Sequence, residues 1–558
     1  MFHVEHVPRG TLKHSMNSPQ KHHGKLVDLF SEEIYDAEIT VIDGKIFSIQ
    51  KSSTTTGSYI LPGLVDSHVH IESSMLTPQH FSRIAVSHGT VAAVSDPHEI
   101  ANVLGLDGVQ YMIENASGAE MKFFFGAPSC VPATSFESSG AQISADDIRY
   151  LFEKKNLKFL SEMMNYPGVI HNNPEVWEKI MVAKKYNRKI DGHAPGLSGA
   201  NLDKYVQAGI DTDHECSGIQ EALEKIEKGM IVQIREGSAA KNFEALWTLI
   251  DKFPNKVFLC SDDLHPDDLL DGHINKLLKR GVVKGINLFN LLRAVTVNPV
   301  RHYNLPVGLL RVGDSADFIR VDDLISFRVS ETYIGGNIVF DKVRGLKEVS
   351  EQKIVNKFMA NRIINNTLIV PPTSKRVKVI SVEDGELITG SFVASLEVSG
   401  NDLVSDVSQD VLKLVVLNRY EQEAPSIAFI KNFSLKKGAL ASSISHDSHN
   451  IIAVGVSNTE IAECINWVID NKGGVAVHDG SEITGIPLPI AGIISDEKAE
   501  VVARQYKKIN NLAAGIGCHL KAPFMTLSFM ALLVIPELKL SNKGLFDGSK
   551  FCFTSLYE

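Results

Sequence analysis

Two histidines separated by one residue, His68 and His70, follow an apolar run and precede the carboxylate of Glu72. In an extended strand the side chains at positions i and i+2 lie on one face, so we expect these three groups to point the same way. Two imidazoles at the carboxyl end of a buried strand can form half of a metal site. A His-x-His pair is a weak motif by itself, and its significance depends on the polar groups elsewhere in the chain.

Other short apolar runs of the chain also end in histidines or carboxylates. Their polar residues are Asp96, His98 and Glu99 after the second run, then Glu162, His193 and His214, and finally Asp262 with Asp263. The segments between the runs have the periodicity of amphipathic helices, at 78–88, 173–186, 202–208 and 220–228. Strands that alternate with helices and end in polar residues predict a (β/α)8 TIM-like barrel, whose active site lies at the carboxyl ends of the strands.

The composition is that of a soluble globular protein with 44% hydrophobic and 22% charged residues. A net charge of −10 argues against nucleic acid as a partner, because a phosphate backbone requires a basic surface. The six cysteines form no C-x-x-C pair, which favours reduced thiols in the cytoplasm over disulfides or a structural zinc site. No signal peptide or membrane-spanning segment is predicted, so we expect no membrane partner.

A chain of 558 residues is too long for one hydrophobic core and predicts two or three domains. The breaks in the pattern predict an α/β protein with a small flanking β-domain and a C-terminal α+β domain. The predicted boundaries are a flexible tail at 1–24, the β-domain at 25–59 and 300–345, the barrel at 60–299, a linker at 346–374 and the C-terminal domain at 375–558. Within the β-domain, two short strands are expected around a turn at Asp43-Gly44.

The order of these residues resembles that of the amidohydrolase superfamily of metal-dependent hydrolases: a His-x-His pair, a later carboxylate, two single histidines and a final aspartate. Longer strings narrow the resemblance to the adenine deaminase family. They include Val69-His-Ile-Glu-Ser-Ser-Met75, Asp96-Pro-His-Glu-Ile-Ala-Asn102, Cys260-Ser-Asp-Asp263 and Ser445-His-Asp-Ser-His-Asn450. The resemblance extends from about residue 25 to the end of the chain.

The resemblance implies a centre of two divalent metal ions, with manganese expected and iron or zinc compatible with imidazole and carboxylate donors. The implied ligands are His68 and His70 for one ion, His193 and His214 for the other, Glu162 as the bridge and Asp262 near the bridging water. Glu162 and Asp262 are the implied catalytic residues.

The activity implied by the resemblance is the hydrolysis of adenine to hypoxanthine and ammonia, through attack of a metal-bound hydroxide at C6, as a step of purine salvage. A carboxylate must carry the proton of the water to the leaving amine, and Asp262 is the expected carrier. The expected partner is this small-molecule substrate, and a homodimer is the expected assembly.

Several residues keep more than one interpretation. Asp96, His98 and Glu99 could orient the purine ring, hold an additional metal or support the ligands of the first two. Asp263 is expected to cap the following helix rather than take part in chemistry. Arg235, Glu236 and Lys241 could form an internal ion pair or could contact the substrate. His446, Asp447 and His449 could form a cluster over the barrel mouth or could belong to a structural loop.

Two rival functions remain at this point. The first is another hydrolase of the same superfamily, such as a cyclic amidase or an N-acetyl amino-sugar deacetylase, which would share the metals but act on an amide carbonyl. The second is a non-catalytic scaffold that binds partners. The six implied ligand positions are all filled by residues that can bind a metal, which argues against the scaffold.

Overall fold

The computed structural model describes residues 18–54 and 57–558, so the first seventeen residues of the expected tail lie outside the described part. Its first strands are β1 (Gln20–Asp28), β2 (Glu33–Ile42), β3 (Lys45–Lys51) and β4 (Tyr59–Pro62). β1 pairs with β2 from its first residue to its last, so the prediction of a tail is wrong for residues 20–24. The turn at Asp43-Gly44 is confirmed, and both residues have the positive φ that a two-residue hairpin loop requires.

Eight parallel strands form a closed ring in the centre of the chain. They are β5 (Leu64–Val69), β6 (Thr90–Ser95), β7 (Lys122–Phe125), β8 (Phe159–Met163), β9 (Lys189–Gly192), β10 (Thr212–Asp213), β11 (Ile231–Arg235) and β12 (Val257–Cys260). Parallel bridges from Ala127 to Leu160 and from Val69 to Asp262 join two of the gaps between the partial sheets. The third gap, between β9 and β10, is joined by a hydrogen bond from the backbone N–H of Asp211 to the carbonyl of Ile190 at 3.3 Å, which completes the ring. The predicted barrel is therefore present.

Helices cover the outside of the ring and connect its strands. They are α1 (Pro78–Ala85), α2 (His98–Leu104), α3 (Leu106–Ala116), α4 (Ala145–Lys154), α5 (Tyr166–Ile170), α6 (Pro174–Lys185), α7 (Gly199–Gln207), α8 (Ile219–Glu227), α9 (Phe243–Leu246), α10 (Leu249–Lys252), α11 (Pro266–Asp271), α12 (Ile274–Val283), α13 (Leu288–Ala294) and α14 (Val297–His302). The four helical segments predicted from periodicity correspond to α1, α6, α7 and α8. Local signals set their ends: Asn173 accepts hydrogen bonds from the first turn of α6, which begins with a proline.

The strands that follow the barrel return to the N-terminal sheet. They are β13 (Phe318–Val321), β14 (Val329–Ile334) and β15 (Asn337–Asp341). The resulting seven-stranded sheet has the order β15-β14-β13-β4-β1-β2-β3. Only Gly63 separates β4 from β5, and a Cβ there would lie 2.3 Å from a methyl group of Val91. The flanking sheet therefore directly anchors the strand that carries His68.

The C-terminal part contains a mixed eight-stranded sheet with helices. Its elements are β16 (Arg376–Ser381), β17 (Gly390–Ser395), β18 (Val398–Ser399), β19 (Asp402–Leu403), β20 (Val411–Leu417), β21 (Ser426–Lys431), β22 (Ala439–Ser442), β23 (Ile451–Gly455), α15 (Asn458–Asp470), β24 (Gly474–His478), β25 (Ile483–Pro487), α16 (Ala499–Gly515), α17 (Pro523–Ser528), β26 (Leu538–Ser541), β27 (Gly544–Asp547) and β28 (Cys552–Phe553). The sheet order is β17-β16-β21-β20-β23-β22-β24-β25. Residues 443–450, here called the 443–450 loop, connect the antiparallel pair β22 and β23.

The C-terminal part packs on the barrel face where the strands end. The backbone N–H of Ser495 donates to the carbonyl of Met75 at 2.9 Å. The side chain of Asn450 donates to the carbonyl of Ser138 at 2.8 Å, which ties the 443–450 loop to the barrel. Among the described residues, no helix has the length and apolar character needed to cross a membrane.

Candidate metal centre

His68 and His70 meet at the carboxyl end of β5, where their Nε2 atoms lie 3.1 Å apart. The Nδ1 atom of His70 lies 3.2 Å from the backbone carbonyl of Asp96. A carbonyl only accepts, so this contact places the ring proton on Nδ1 and leaves the Nε2 lone pair facing inward. Both side chains are buried. The structure therefore brings the two predicted imidazoles together.

Glu72 does not join these two histidines, and the expectation of a shared face is wrong. A 3₁₀ turn, Ile71–Ser74, begins directly after His70, so the alternation of a strand ends before Glu72 is reached. Its Oε1 instead accepts a hydrogen bond from the backbone N–H of Ile100 at 3.3 Å. Burial, with a contribution from the charge of Glu99, raises the pKa of Glu72 to about 7.

Glu162, in β8, faces both halves of the centre with its two oxygens. Oε1 lies 3.2 Å from His70 Nε2. Oε2 lies 2.9 Å from His193 Nδ1 and 3.2 Å from His214 Nε2. Burial opposes ionisation, but the histidines, His193 foremost, hold the pKa of the carboxyl well below its ordinary value. One oxygen of Glu162 therefore faces His70, and the other faces His193 and His214.

Asp262 follows β12 and closes the first half of the centre. Its Oδ1 lies 3.3 Å from His70 Nε2 and 3.6 Å from His68 Nε2.

Asp263, by contrast, does not cap a helix, and that expectation is wrong. Ser73 Oγ donates to Asp263 Oδ1 at 2.5 Å, and α11 begins only at Pro266.

Sequence reasoning missed Glu215 as a functional candidate, and it left Arg235 either in an internal ion pair or in contact with substrate. Glu215 Oε1 lies 3.4 Å from His214 Nε2 and 3.5 Å from His193 Nδ1. Arg235 donates to both oxygens of Glu215, at 2.5 and 2.7 Å. The expected ion pair therefore exists, but its carboxylate comes from the neighbouring strand end. The available signal was position: Glu215 directly follows His214, and Arg235 is the last residue of β11.

Asp96, His98 and Glu99 lie between the centre and the C-terminal part. His98 Nδ1 lies 3.1 Å from Asp96 Oδ2 and 3.6 Å from Glu162 Oε1. On the other side of the ring, His98 Nε2 lies 3.7 Å from Asp447 Oδ1. The three residues therefore form a layer around the centre that reaches the 443–450 loop.

Glu236 and His273 make their contacts within the barrel. Glu236 pairs with Arg280 rather than with its neighbour in sequence. His273 is buried, with Nε2 2.9 Å from Asp66 Oδ2 and Nδ1 2.7 Å from Thr90 Oγ1. Their roles in the described structure are contacts within the barrel.

The donor set fits divalent metal ions. Several sets of buried ligand atoms lie close enough together to share one ion. One set is His68, His70 and Asp262, and a second is His193, His214 and Glu215. A third set combines Glu162 with His68 and His214. Imidazole nitrogens that face each other at hydrogen-bond distance need a cation or a shared proton between their lone pairs. Imidazole and carboxylate donors without thiolate suit manganese, iron or zinc.

Comparison with known proteins identifies the family to which this chain belongs. Residues 59–339 match the Amidohydrolase family, and residues 386–552 match the Adenine deaminase C-terminal domain. The chain is 51% identical to an adenine deaminase of Methanosarcina barkeri, over 96% of this chain and 99% of that protein. The chain belongs to the adenine deaminase family.

Other relatives extend this similarity to distant organisms. Adenine deaminases of Sulfurovum sp. and Borreliella burgdorferi are 51% and 44% identical to this chain, each over 94% of it and 98% of their own length. The adenine deaminase family match of the C-terminal domain also argues against the cyclic amidase and deacetylase alternatives. The resemblance inferred from the motifs is confirmed.

Proposed function

We propose that this protein hydrolyses adenine to hypoxanthine and ammonia in the cavity at the barrel mouth. The observation that supports this most directly is the 51% identity to an adenine deaminase over nearly the whole length of both chains. The geometry agrees with a hydrolase, because buried imidazoles and carboxylates converge at the strand ends where barrels of this kind place their active sites.

The proposed ligands are the six residues inferred from the motifs, with Glu162 as the bridge, together with Glu215 as a further neighbour of the second pair of histidines. When bound, a pair of divalent cations acts as a Lewis acid and brings the pKa of water into the neutral range. The protein's part is to hold the donors rigidly. His70 is oriented by the carbonyl of Asp96, and the carbonyl of His214 accepts from Asn242 at 3.1 Å.

Asp262 is the proposed proton carrier. Its Oδ1 faces the centre, whereas its Oδ2 accepts a hydrogen bond from Arg235 at 2.5 Å. Only Oδ1 is therefore free of the guanidinium and can accept a proton from the attacking water. The same oxygen then delivers the proton to the amino group, which leaves C6 as ammonia and leaves the ring with an oxygen in its place.

Arg235 is proposed as a positioning residue rather than a substrate contact. It lies between two buried carboxylates, Glu215 and Asp262, and donates to both. Without a cation, two ionised carboxylates in a buried site would repel each other, and one would take up a proton. Arg235 thus keeps Asp262 ionised and turned toward the centre.

The identity of the metal, the assembly and the place in metabolism are proposals too. Manganese is the metal proposed first, with iron or zinc as alternatives that the same donors accept. A homodimer and a cytoplasmic role in purine salvage complete the proposal.

The test is ammonia release from adenine by protein that has been stripped of metal and reloaded with manganese, with metal content measured on the same sample. Adenosine and dihydropyrimidine amides are assayed in parallel. We expect turnover of adenine that is lost on chelation and returns on reloading. Turnover of a cyclic amide without turnover of adenine, at full metal content, would reject the proposal.

A further inference from the structure

The C-terminal part supplies one wall of the cavity at the metal centre. The residues that line this wall are Leu387, His446, Asp447, Phe529 and Leu532, and they face the barrel residues of the centre. His446 and Asp447 come from the 443–450 loop, and Phe529 stacks on the ring of His446 with centroids 4.9 Å apart and planes at 20°. The wall is thus mainly apolar and aromatic, with one carboxylate.

Glu99 holds the 443–450 loop against the barrel. Its Oε1 lies 2.6 Å from His446 Nδ1, and its Oε2 contacts His449 Nε2. The backbone N–H of Ser445 donates to His449 Nδ1 at 3.3 Å, which leaves the ring proton of His449 on the nitrogen that faces Glu99. Two imidazoles therefore contact the two oxygens of one carboxylate, which fixes the position of Asp447, the residue that directly follows His446.

Asp447 has one oxygen without a partner in this fixed position. Its Oδ1 lies 3.7 Å from both His98 Nε2 and His446 Nδ1. Its Oδ2 is buried and has no hydrogen-bond partner among the described residues. Burying an unpaired carboxylate oxygen is costly, so a donor must complete the site. Because Asp447 lines the cavity, that donor is expected to belong to a ligand.

The ring of His98 lies between the metal centre and Asp447. The ring of His98 is the spacer: one of its nitrogens faces Glu162 Oε1 at 3.6 Å and the other faces Asp447 Oδ1 at 3.7 Å. A flat base lying beside His98 with C6 at the centre would extend its imidazole ring toward Asp447. In adenine, the edge remote from C6 carries N9–H, which is a hydrogen-bond donor.

We infer that Asp447 of the C-terminal domain accepts a hydrogen bond from N9–H of adenine and so selects the free base over compounds substituted at N9. The inference rests on the proposed hydrolysis of adenine and adds a specificity-determining residue to it. A nucleoside carries its sugar at N9 and offers no proton there. It would leave the Asp447 oxygen unpaired and would also meet the wall formed by Phe529 and Leu532.

The test compares two ligands and two substitutions of one residue. Adenine turnover and inhibition by 9-methyladenine are measured for the wild type, Asp447→Asn and Asp447→Ala. A charge-assisted hydrogen bond predicts a fall in kcat/KM for adenine of about 10- to 150-fold in Asp447→Ala. The inhibition constant of 9-methyladenine should not rise in that variant, because this compound makes no bond to Asp447. Metal content should be unchanged in both variants.

The control is Asp479→Asn, the same chemical change at an exposed turn between β24 and β25 of the same domain. It should match the wild type. Equal losses for adenine and 9-methyladenine in Asp447→Ala would show a purely structural role and overturn the inference.

The wild-type protein gives a second test that depends on no variant. Adenine should bind at least about 10-fold more tightly than 9-methyladenine, and equal binding would also overturn the inference. A wild type that turns over adenine while Asp447→Ala keeps full kcat/KM would reject the inference and leave the proposed function intact. A metal-loaded wild type without adenine turnover would reject both.

Discussion

Arg235 donates through Nη1 to Asp262 Oδ2 at 2.5 Å, while the other oxygen of Asp262 faces His70 Nε2 at 3.3 Å. The two oxygens of Asp262 therefore have different environments. Burial disfavours the ionised carboxyl, but the guanidinium outweighs it and holds the pKa of Asp262 well below its ordinary value. The same cation lowers the pKa of Glu215 to about 2 against the effect of burial.

Asp262→Asn should abolish most of the turnover and leave the metals bound. The amide keeps an oxygen of similar size next to His70 but has no lone pair basic enough to take the proton of water. A fall in kcat of about 100- to 10,000-fold is expected. The measurements are kcat and metal content on the same preparation, and a variant with near-wild-type kcat would remove Asp262 from the role of proton carrier.

Arg235→Met should destabilise the fold as well as the activity. It leaves the buried carboxylates of Glu215 and Asp262 without their shared cation, which typically costs about 3–5 kcal/mol. Denaturant unfolding of the metal-free protein measures this directly. Arg280→Met is the control, because the pairs of Arg280 with Glu236 and Glu244 are partly exposed and a loss of about 1 kcal/mol or less is expected. Equal losses in the two variants would contradict this account.

Glu162→Gln should weaken metal binding, because a neutral amide is a poor bridge between two cations. Removal of a group that only supports a metal ligand lowers metal affinity by about 10- to 100-fold, so replacement of a bridging ligand should lower it by at least as much. Titration of the metal-free protein with manganese provides the measurement. Glu72→Gln is a matched control, since this buried carboxyl lies beyond the strand end and faces the backbone of Ile100. Unchanged metal stoichiometry and affinity in Glu162→Gln would exclude the bridge.

Lys539→Met should stabilise the protein at neutral pH. Lys539 is completely buried, its Nζ donates to the carbonyl of Leu387 at 2.8 Å, and burial lowers its pKa to about 7. The ordinary pKa of lysine is about 10.4, so between pH 7 and that value the unfolded chain binds more protons than the native one. Stability should therefore rise with pH in this window, by up to about 1.4 kcal/mol per unit.

Urea unfolding of the wild type and Lys539→Met at pH 7, 8 and 9 checks this prediction, because the difference between the two isolates the contribution of one lysine. The gain in the variant should be largest at pH 7 and shrink as the pH rises. Lys413→Met is the control: Lys413 is also buried, but its Nζ lies 3.0 Å from Asp402 Oδ2, so its loss should destabilise. If the free energies of unfolding of the wild type and Lys539→Met changed in parallel with pH, the proposed contribution of Lys539 would be refuted.

Strand and helix positions could be predicted where periodicity is strong. The run Thr90–Ser95 matches β6, and the helices at 78–88 and 173–186 begin and end within a few residues of the observed ones. Predictions failed at the ends of regular elements, where the sequence pattern did not fix the exact boundary. Glu72 lies on a 3₁₀ turn instead of the strand, and Asp263 binds Ser73 from the first strand end instead of capping a helix.

The sequence by itself determined the barrel and the family, and it predicted six residues of the centre: His68, His70, Glu162, His193, His214 and Asp262. These features depend on local periodicity and on short motifs at strand ends, which are visible along the chain. Only the tertiary structure decided which groups face each other. It joined Arg235 to Glu215 and Asp262, and it brought Asp447 to the barrel mouth. Those contacts depend on closure of the ring and on docking of a separate domain, so the groups that meet are far apart in sequence and no local pattern specifies them.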